Sequence, residues 1–330
     1  MEVNLKYLAG LAGVSVSTVS RALNGDPRVK PETAQKIKEL AETFNYVPNH
    51  TAQSLVTGKT KTIGLVLPNI RAFMHDILDG IESVFSSHGI NIILGVYNND
   101  GNKEVRELTL LLKKRVDGII LFHIGSNFDH KVCTLLKNTN VPVVLLDRKI
   151  EGLDCDSVLN NNMAGSSLLV SDAVESGCKK VAFIYENEDV TTMQQRVEGF
   201  ISAQEVFGLE YKSEYLMTSR NKKIKNGYES MKALCNLVDP PDAVIGSTGD
   251  NVMGIIRYLI DNPSFMNKIR VGGFDNFEFS DLLRVDVTNL DMCEFTVGKC
   301  SAELLLDRIN GSVENIKTEI IEPQIKRRNR

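Results

Sequence analysis

Near the N-terminus the apolar positions recur at helical spacing. Leu5, Leu8, Ala9 and Ala12 fall at i, i+3, i+4 and i+7, which gives a first helix one apolar stripe. Gly13 follows as a left-handed terminator and Val14 turns the chain inward. Ser15 is placed to cap a second helix in which Val19, Ala22 and Leu23 face inward, leaving Val16, Ser17, Ser20 and Arg21 outside. Two short helices around a small-residue turn have the spacing of a helix-turn-helix, and an outward face of small polar groups with one Arg suits base edges. A third helix is predicted over 29–44, with Pro31 in its first turn and Ile37, Leu40, Ala41 and Phe44 apolar. The stretch 46–58 then reads as a short helical segment capped by Asn49 and bounded by Pro48 and Gly58, with Asn49, Ala52 and Leu55 on one face.

From Lys61 the pattern changes to apolar strand, amphipathic helix, apolar strand, as in TIGLVLP, GIESVFSSHG, NIILGVY, VRELTLLLKK and VDGIILF. It restarts after SLLVSDAVESG with KKVAFIYE and runs to IRVGGFD, predicting two parallel, doubly wound α/β sheets of similar size. In such a two-lobed protein a ligand belongs between the lobes, beyond the carboxyl ends of the strands. The residues there are Asp147 and Arg148 after VPVVLL, Asp250 after VIGSTG, Asp275 after VGGF, and Arg196 at the opening of the helical run RVEGF. Carboxylates accept from hydroxyls and Arg donates in a fork, so this set suits a polyol. Gly272 and Gly273 read as a tight strand end.

A chain of 330 residues exceeds one hydrophobic core, and 42% apolar content is that of an ordinary globular protein. No apolar run approaches a membrane span and the N-terminus has no signal-peptide pattern, so the expected location is the cytosol. The six cysteines form no C-x-x-C pair and read as free thiols, and the five histidines lack ligand spacing, so neither a metal nor a cofactor is expected. Dinucleotide, phosphate-loop, zincin and nucleophile-elbow signatures are all missing, which argues against an enzyme. The net charge of −4 is unevenly spread: residues 1–61 carry eight basic groups against five acidic ones. The surplus of positive charge thus falls on the helix-turn-helix, where a DNA surface needs it. The basic tail Lys326, Arg327, Arg328 and Arg330 reads as a solvated terminus.

AGVSVSTVSRALNG followed by NYVPNHTAQSL resembles the DNA-binding head and hinge of the lactose and galactose repressor family, LacI/GalR, and the rest resembles that family's periplasmic-binding-protein-like core. The resemblance implies a head over 1–47, a hinge helix over 48–60 and a core over 61–330. It also implies three crossings between lobes, near Leu159, Asn289 and Lys317. The N-lobe is then about 61–158 and 290–317, and the C-lobe about 159–289 and 318–330. It implies a repressor that binds a pseudo-palindromic double-stranded operator as a homodimer and is gated by a small-molecule effector, a carbohydrate. A partner-protein-gated regulator of the catabolite-control kind is the alternative. A transport receptor on the same core would start with an export signal rather than a DNA-reading module.

By the same resemblance Val16, Ser17 and Arg21 reach bases, while Ser15, Thr18, Ser20, Asn24 and Arg28 meet phosphates. Leu55 matches the hinge leucine that wedges into the minor groove, a contact that kinks DNA by roughly 20 to 90°. Asp147, Arg196 and Asp275 match effector contacts, Asp147–Arg148 resembles the sugar-reading pair of pentose-binding relatives, and Phe73 matches an aromatic of the cleft. Three positions depart from the pattern: Gly249 and Met292 replace polar contacts, and Asn160 replaces an aspartate. The run SRNKKIKN places Arg220, Lys222 and Lys223 where they, with Arg71, favour a phosphorylated sugar if the loop overhangs the cleft.

Overall fold

The computed structural model describes residues 3–46, 58–70, 72–125, 128–186, 190–219, 224–275, 285–312 and 314–326, apart from the side chains of residues 72, 73 and 219. The chain divides into two compact units, Met1–Thr60 and Lys61–Arg330.

In the first unit three helices form as the apolar spacing dictates: α1 (Leu5–Ala12), α2 (Val16–Leu23) and α3 (Pro31–Thr43). Asn4 Oδ1 accepts from the Tyr7 amide at 3.0 Å and so starts α1. Gly13 ends it at φ 70° with its amide on Ala9 O, a left-handed turn that a side chain would strain. Ser15 Oγ accepts from the Thr18 amide at 3.2 Å, the expected N-cap of α2. Leu8, Ala9, Val19, Ala22 and Ile37 are buried together, and Tyr7 meets Phe44 edge-on at 5.6 Å.

The second unit holds two six-stranded sheets with orders β11-β5-β4-β3-β1-β2 and β12-β10-β9-β8-β6-β7. The first comprises β1 (Thr62–Leu67), β2 (Asn91–Val96), β3 (Gly118–Phe122), β4 (Val143–Leu146), β5 (Asp156–Asn160) and β11 (Thr318–Ile321), all parallel. The second comprises β6 (Val181–Glu186), β7 (Leu216–Ser219), β8 (Ala243–Gly246), β9 (Arg270–Phe274), β10 (Val287–Asp291) and β12 (Gln324–Lys326), parallel except for the β10–β12 pair. Helices cover both faces, so the central strands are continuous apolar runs: Ile63, Leu65 and Leu67 of β1 enter one core and Val66 the other.

Two boundaries differ from the sequence reading. β11 pairs with β5, so the last crossing lies after Ile321 instead of near Lys317, and residues 318–321 belong to the N-lobe. This strand is an exposed edge with no inward–outward alternation, so its pattern carried no lobe signal. The second crossing follows Asp291, at the end of β10. The helix containing Arg196, α8 in the chain order that follows α4 (Ala72–Ser87), α5 (Gly101–Lys113), α6 (Asp129–Lys137) and α7 (Asn162–Glu175), begins at Thr191, so Arg196 sits in its second turn. Gly272 and Gly273 lie within β9 instead of at its end, where they let Leu169 and Val252 of the flanking helices approach the sheet.

After β7 come α9 (Ile224–Cys235), α10 (Gly249–Asp261), α11 (Pro263–Met266) and α12 (Glu294–Ile309). α12 returns to the N-lobe and packs on α4, Gly298 against the backbone of Ile77 and Gly80 against that of Phe295. The three crossings are tied to one another. Asn160 Nδ2 donates to Met292 O at 2.7 Å, the Asn161 amide to Ile321 O at 3.0 Å, and Asn161 Nδ2 to the Glu322 carboxylate at 3.0 Å. The bond to the main-chain carbonyl of Met292 uses an amide N–H of Asn160, a donor that an aspartate at position 160 would lack. The six cysteines are free, with Cys133 and Cys235 buried. Among the described residues no helix is long and apolar enough to cross a membrane.

Candidate functional site

The outer face of α2 is the first candidate. Val16, Ser17 and Arg21 are exposed, Val16 by 43%, while Val19 and Ala22 beneath them are buried. Asn24 and Arg28 are also exposed, and Thr18 and Ser20 are half-buried. Ser15 bonds to the hydroxyls of Ser17 and Thr18, at 2.8 Å each, so this polar cluster is fixed at the helix N-terminus, where the unpaired amides favour an anion. Asn49, Ala52 and Leu55 lie outside the described residues.

The second candidate is built from strand ends of both lobes. Asp147 follows β4 at φ 69° and Asp275 follows β9 at φ 74°, left-handed conformations that short carboxylates tolerate and that turn both side chains out of the sheets. Arg148 donates from Nε to Asp147 Oδ2 at 3.2 Å and from Nη1 to Ile124 O at 2.8 Å, and its guanidinium lies 5.3 Å from the ring of Phe122. Arg196 repeats this arrangement in the other lobe. It donates from Nε to Asn162 Oδ1 at 2.8 Å and from Nη1 to Ser247 O at 2.6 Å, and it stacks 4.1 Å from the ring of Phe274. Each lobe thus offers an aspartate and an arginine on a strand-end phenylalanine.

Electrostatics joins the two halves. Burial holds the Arg196 guanidinium below its ordinary pKa, while Asp275 of its own lobe and Asp147 of the other pull it back up. Burial likewise raises the Asp275 carboxyl against the opposing pull of Arg196 and of the Gly249 amide, which donates to Oδ2 at 2.8 Å; Asp147 and Asp250 push it further up. Gly249 therefore contributes its backbone N–H where the family pattern has a polar side chain. Asp250 lies in the first turn of α10, capped by Thr248, whose hydroxyl donates to the buried Glu186 at 3.0 Å. Phe73 takes the second position of α4, and its side chain, like Arg71, Arg220, Lys222 and Lys223, lies outside the described residues.

Several participants were not marked by the sequence reading. Asn162, Phe274 and Glu186 surround Arg196, and only Phe274, adjacent to Asp275 at a strand end, gave a local signal. His123, just past β3, is buried between Glu104 at 2.9 Å and Asp129 at 2.7 Å. Burial works to lower its pKa, but the hydrogen bonds and charges of these carboxylates outweigh it and raise it, and the ring ties both helices to the loop on whose carbonyls Arg148 rests.

Glu294, at the start of α12 beside the second crossing, is buried; desolvation, Asp291 and Asp275 push its carboxyl up to about 8. Between its ordinary value of 4.5 and that value the folded chain holds a proton that the unfolded chain has released, so stability falls as pH rises through this window and levels off above it. Glu294→Gln is expected to flatten that slope and to be more stable than the parent at the alkaline end. Urea unfolding at a series of pH values from about 5 to 8 reads the difference, and parallel curves for parent and variant would show that Glu294 is ionised throughout.

A helix-turn-helix unit and a two-lobed core of parallel α/β sheets in one chain are the parts of a ligand-responsive DNA-binding regulator. Residues 4–49 match the bacterial regulatory proteins of the lacI family, and residues 60–329 match the periplasmic binding proteins and sugar-binding domain of the LacI family. The chain belongs to the LacI family of DNA-binding transcriptional regulators, and its core is that family's sugar-binding domain. It is 32% identical over 314 residues to a probable HTH-type transcriptional repressor of Bacillus subtilis (strain 168), ExuR, covering 93% of this chain and 92% of that protein. It is 29% identical to catabolite control protein A of Priestia megaterium, covering 98% and 96%. Its fold matches that of the lac repressor dimer bound to operator and the anti-inducer ONPF, with a TM-score of 0.86 at 21% identity over 99% of this chain and 98% of that one.

Proposed function

We propose that this repressor works in the cytosol, as a homodimer on a pseudo-palindromic operator, and that a neutral sugar in the interlobe cleft sets its affinity for DNA. In this reading Val16, Ser17 and Arg21 contact base edges. Ser15, Thr18, Ser20 and Asn24 hold phosphates, and Asn49, Ala52 and Leu55 engage the minor groove. Asp147, Arg148, Arg196, Asp250 and Asp275 hold the sugar, with Phe73 against its ring. The reading assigns the cleft no catalysis.

Charge supports a neutral ligand over a phosphorylated one. The described groups around this pair are two cations, Arg196 and Arg148, and four carboxylates, Asp147, Asp250, Asp275 and Glu186. A phosphate entering that field meets net repulsion, whereas hydroxyls can donate to every carboxylate. The observation that carries the DNA half is the exposed row Val16, Ser17 and Arg21 over a fully buried Val19. Arg21→Ala is expected to lose about 1 to 3 kcal/mol on a selected operator and to flatten preference at one guanine per half-site. Competition binding against point-substituted duplexes measures it, and an equal loss on random DNA would move Arg21 to the phosphate class.

A further inference from the structure

Arg28 lies five residues beyond the end of α2, where its sequence position suggests a contact with a phosphate. The structure gives it a fixed partner. Asp26 Oδ1 accepts from the Arg28 amide and from Nε, each at 2.9 Å, and Oδ2 accepts from Nη2 at 2.6 Å. The Arg28 side chain remains 74% exposed while that of Asp26 is 16% exposed, so the carboxylate sits beneath a guanidinium that projects from the surface. The pair is also anchored to the recognition helix, because the Asp26 amide donates to Arg21 O at 3.0 Å. The bonds from Arg28 hold the Asp26 carboxyl at about 2, and the Arg21 charge, within electrostatic reach, adds to the effect. Arg21, Asp26 and Arg28 therefore form one cluster at the end of α2.

Charge and geometry favour a base over a phosphate. A phosphate gains from a free cation, but here the carboxylate cancels the Arg28 charge and would itself face the phosphate. Asp26 takes the side of the guanidinium formed by Nε–H and one Nη2–H. The end formed by Nη1–H and the other Nη2–H is left pointing outward, two parallel donors with the spacing of guanine O6 and N7. With its rotamer held from below, Arg28 loses little conformational freedom on docking.

We propose that Asp26 and Arg28 act as one unit that reads a second guanine in each half-site, Arg28 touching the base and Asp26 positioning it. The proposal rests on α2 lying in the major groove. It replaces the phosphate role that sequence position gives Arg28.

The test is selection of the full-length chain on a randomised duplex pool, followed by binding to the selected and point-substituted duplexes at several salt concentrations. The parent is expected to select two guanines per half-site. Arg28→Ala erases one of them, costing roughly 5- to 150-fold on the selected duplex relative to that duplex with the guanine replaced, and leaves the one read by Arg21. Arg28→Lys keeps the charge but has no fork, so it loses the same preference. Asp26→Asn frees the guanidinium, weakening the guanine preference, raising affinity for random DNA and steepening the salt dependence by about one unit. Three results would overturn the proposal: Arg28→Ala weakening all sequences alike while the salt slope shallows by about one unit, Arg28→Lys behaving as the parent, or Asp26→Asn leaving the preference intact. Arg21→Ala in the same pool separates this failure from a wider one, since a protein whose selection ignores both arginines does not place α2 in the groove at all.

Discussion

Replacing Arg196 by Met is expected to lower the unfolding free energy of the core by about 3 kcal/mol and to abolish the sugar response of operator binding. The apolar stem of Met can still lie on Phe274, so lost packing contributes little. What disappears is the cation that Asp275 and Asp147 face, together with the bonds to Asn162 Oδ1 and Ser247 O. Asp275, already pushed up by burial, then rises further, and the variant loses stability most steeply where that carboxyl must ionise. Arg196→Lys keeps a charge without the fork and should recover stability more than sugar response. Urea unfolding and operator titration on the same preparations separate the two effects. Parental stability in Arg196→Met would mean that the cleft carboxylates are already neutral without it.

Asp156→Ala should cost about 3 to 5 kcal/mol while leaving DNA specificity and the sugar response of the folded fraction intact. Asp156 is buried at the start of β5, where it accepts from Arg308 Nη2 at 2.7 Å, Arg308 Nε at 2.8 Å and the Lys317 amide at 2.8 Å. One carboxylate thus pins the end of α12 and the entry to β11 to the N-lobe sheet. Its removal takes the acceptor from the Lys317 amide and the counter-charge from Arg308, which keeps its bonds to Glu314 O and Asn315 O. Asp156→Asn, which keeps an acceptor for Lys317 N but not the charge, should fall between the two. A loss below about 1 kcal/mol for the Ala variant, by urea unfolding, would show that the pair behaves like an exposed one.

What could be read from residues alone was local and periodic. The stripe through Leu8 and Ala9, the left-handed Gly13 and the Ser15 cap lie within a few residues of what they determine, and each takes its expected place. The strand-end aspartates were legible because a parallel strand buried on both faces is an unbroken apolar run, so the first polar residue marks its carboxyl end. What escaped depends on contacts distant in sequence. β11 is an exposed edge whose lobe is set only by pairing with β5, and α12 reaches the N-lobe by packing on α4. His123 gave no sign of its carboxylates, Glu104 and Asp129, which arrive on two different helices. The Asp26–Arg28 pair is different, because Asp26 Oδ1 accepting from the amide two residues on is a short-range Asx turn that Asp-Pro-Arg suggests, yet the family resemblance placed Arg28 on phosphates.

Ligand-gated repression requires coupling between the cleft and DNA. The decisive measurement is the affinity of the full-length chain for a duplex selected from a random pool, by fluorescence anisotropy, across matched neutral and phosphorylated sugars, for the parent and for Asp275→Ala. The expected result is that at least one neutral sugar changes operator affinity by about tenfold or more, that its phosphorylated form does so less, and that Asp275→Ala removes the effect while binding the duplex unaided as the parent does. Operator affinity that no neutral sugar alters, or a response that persists in Asp275→Ala, would contradict it.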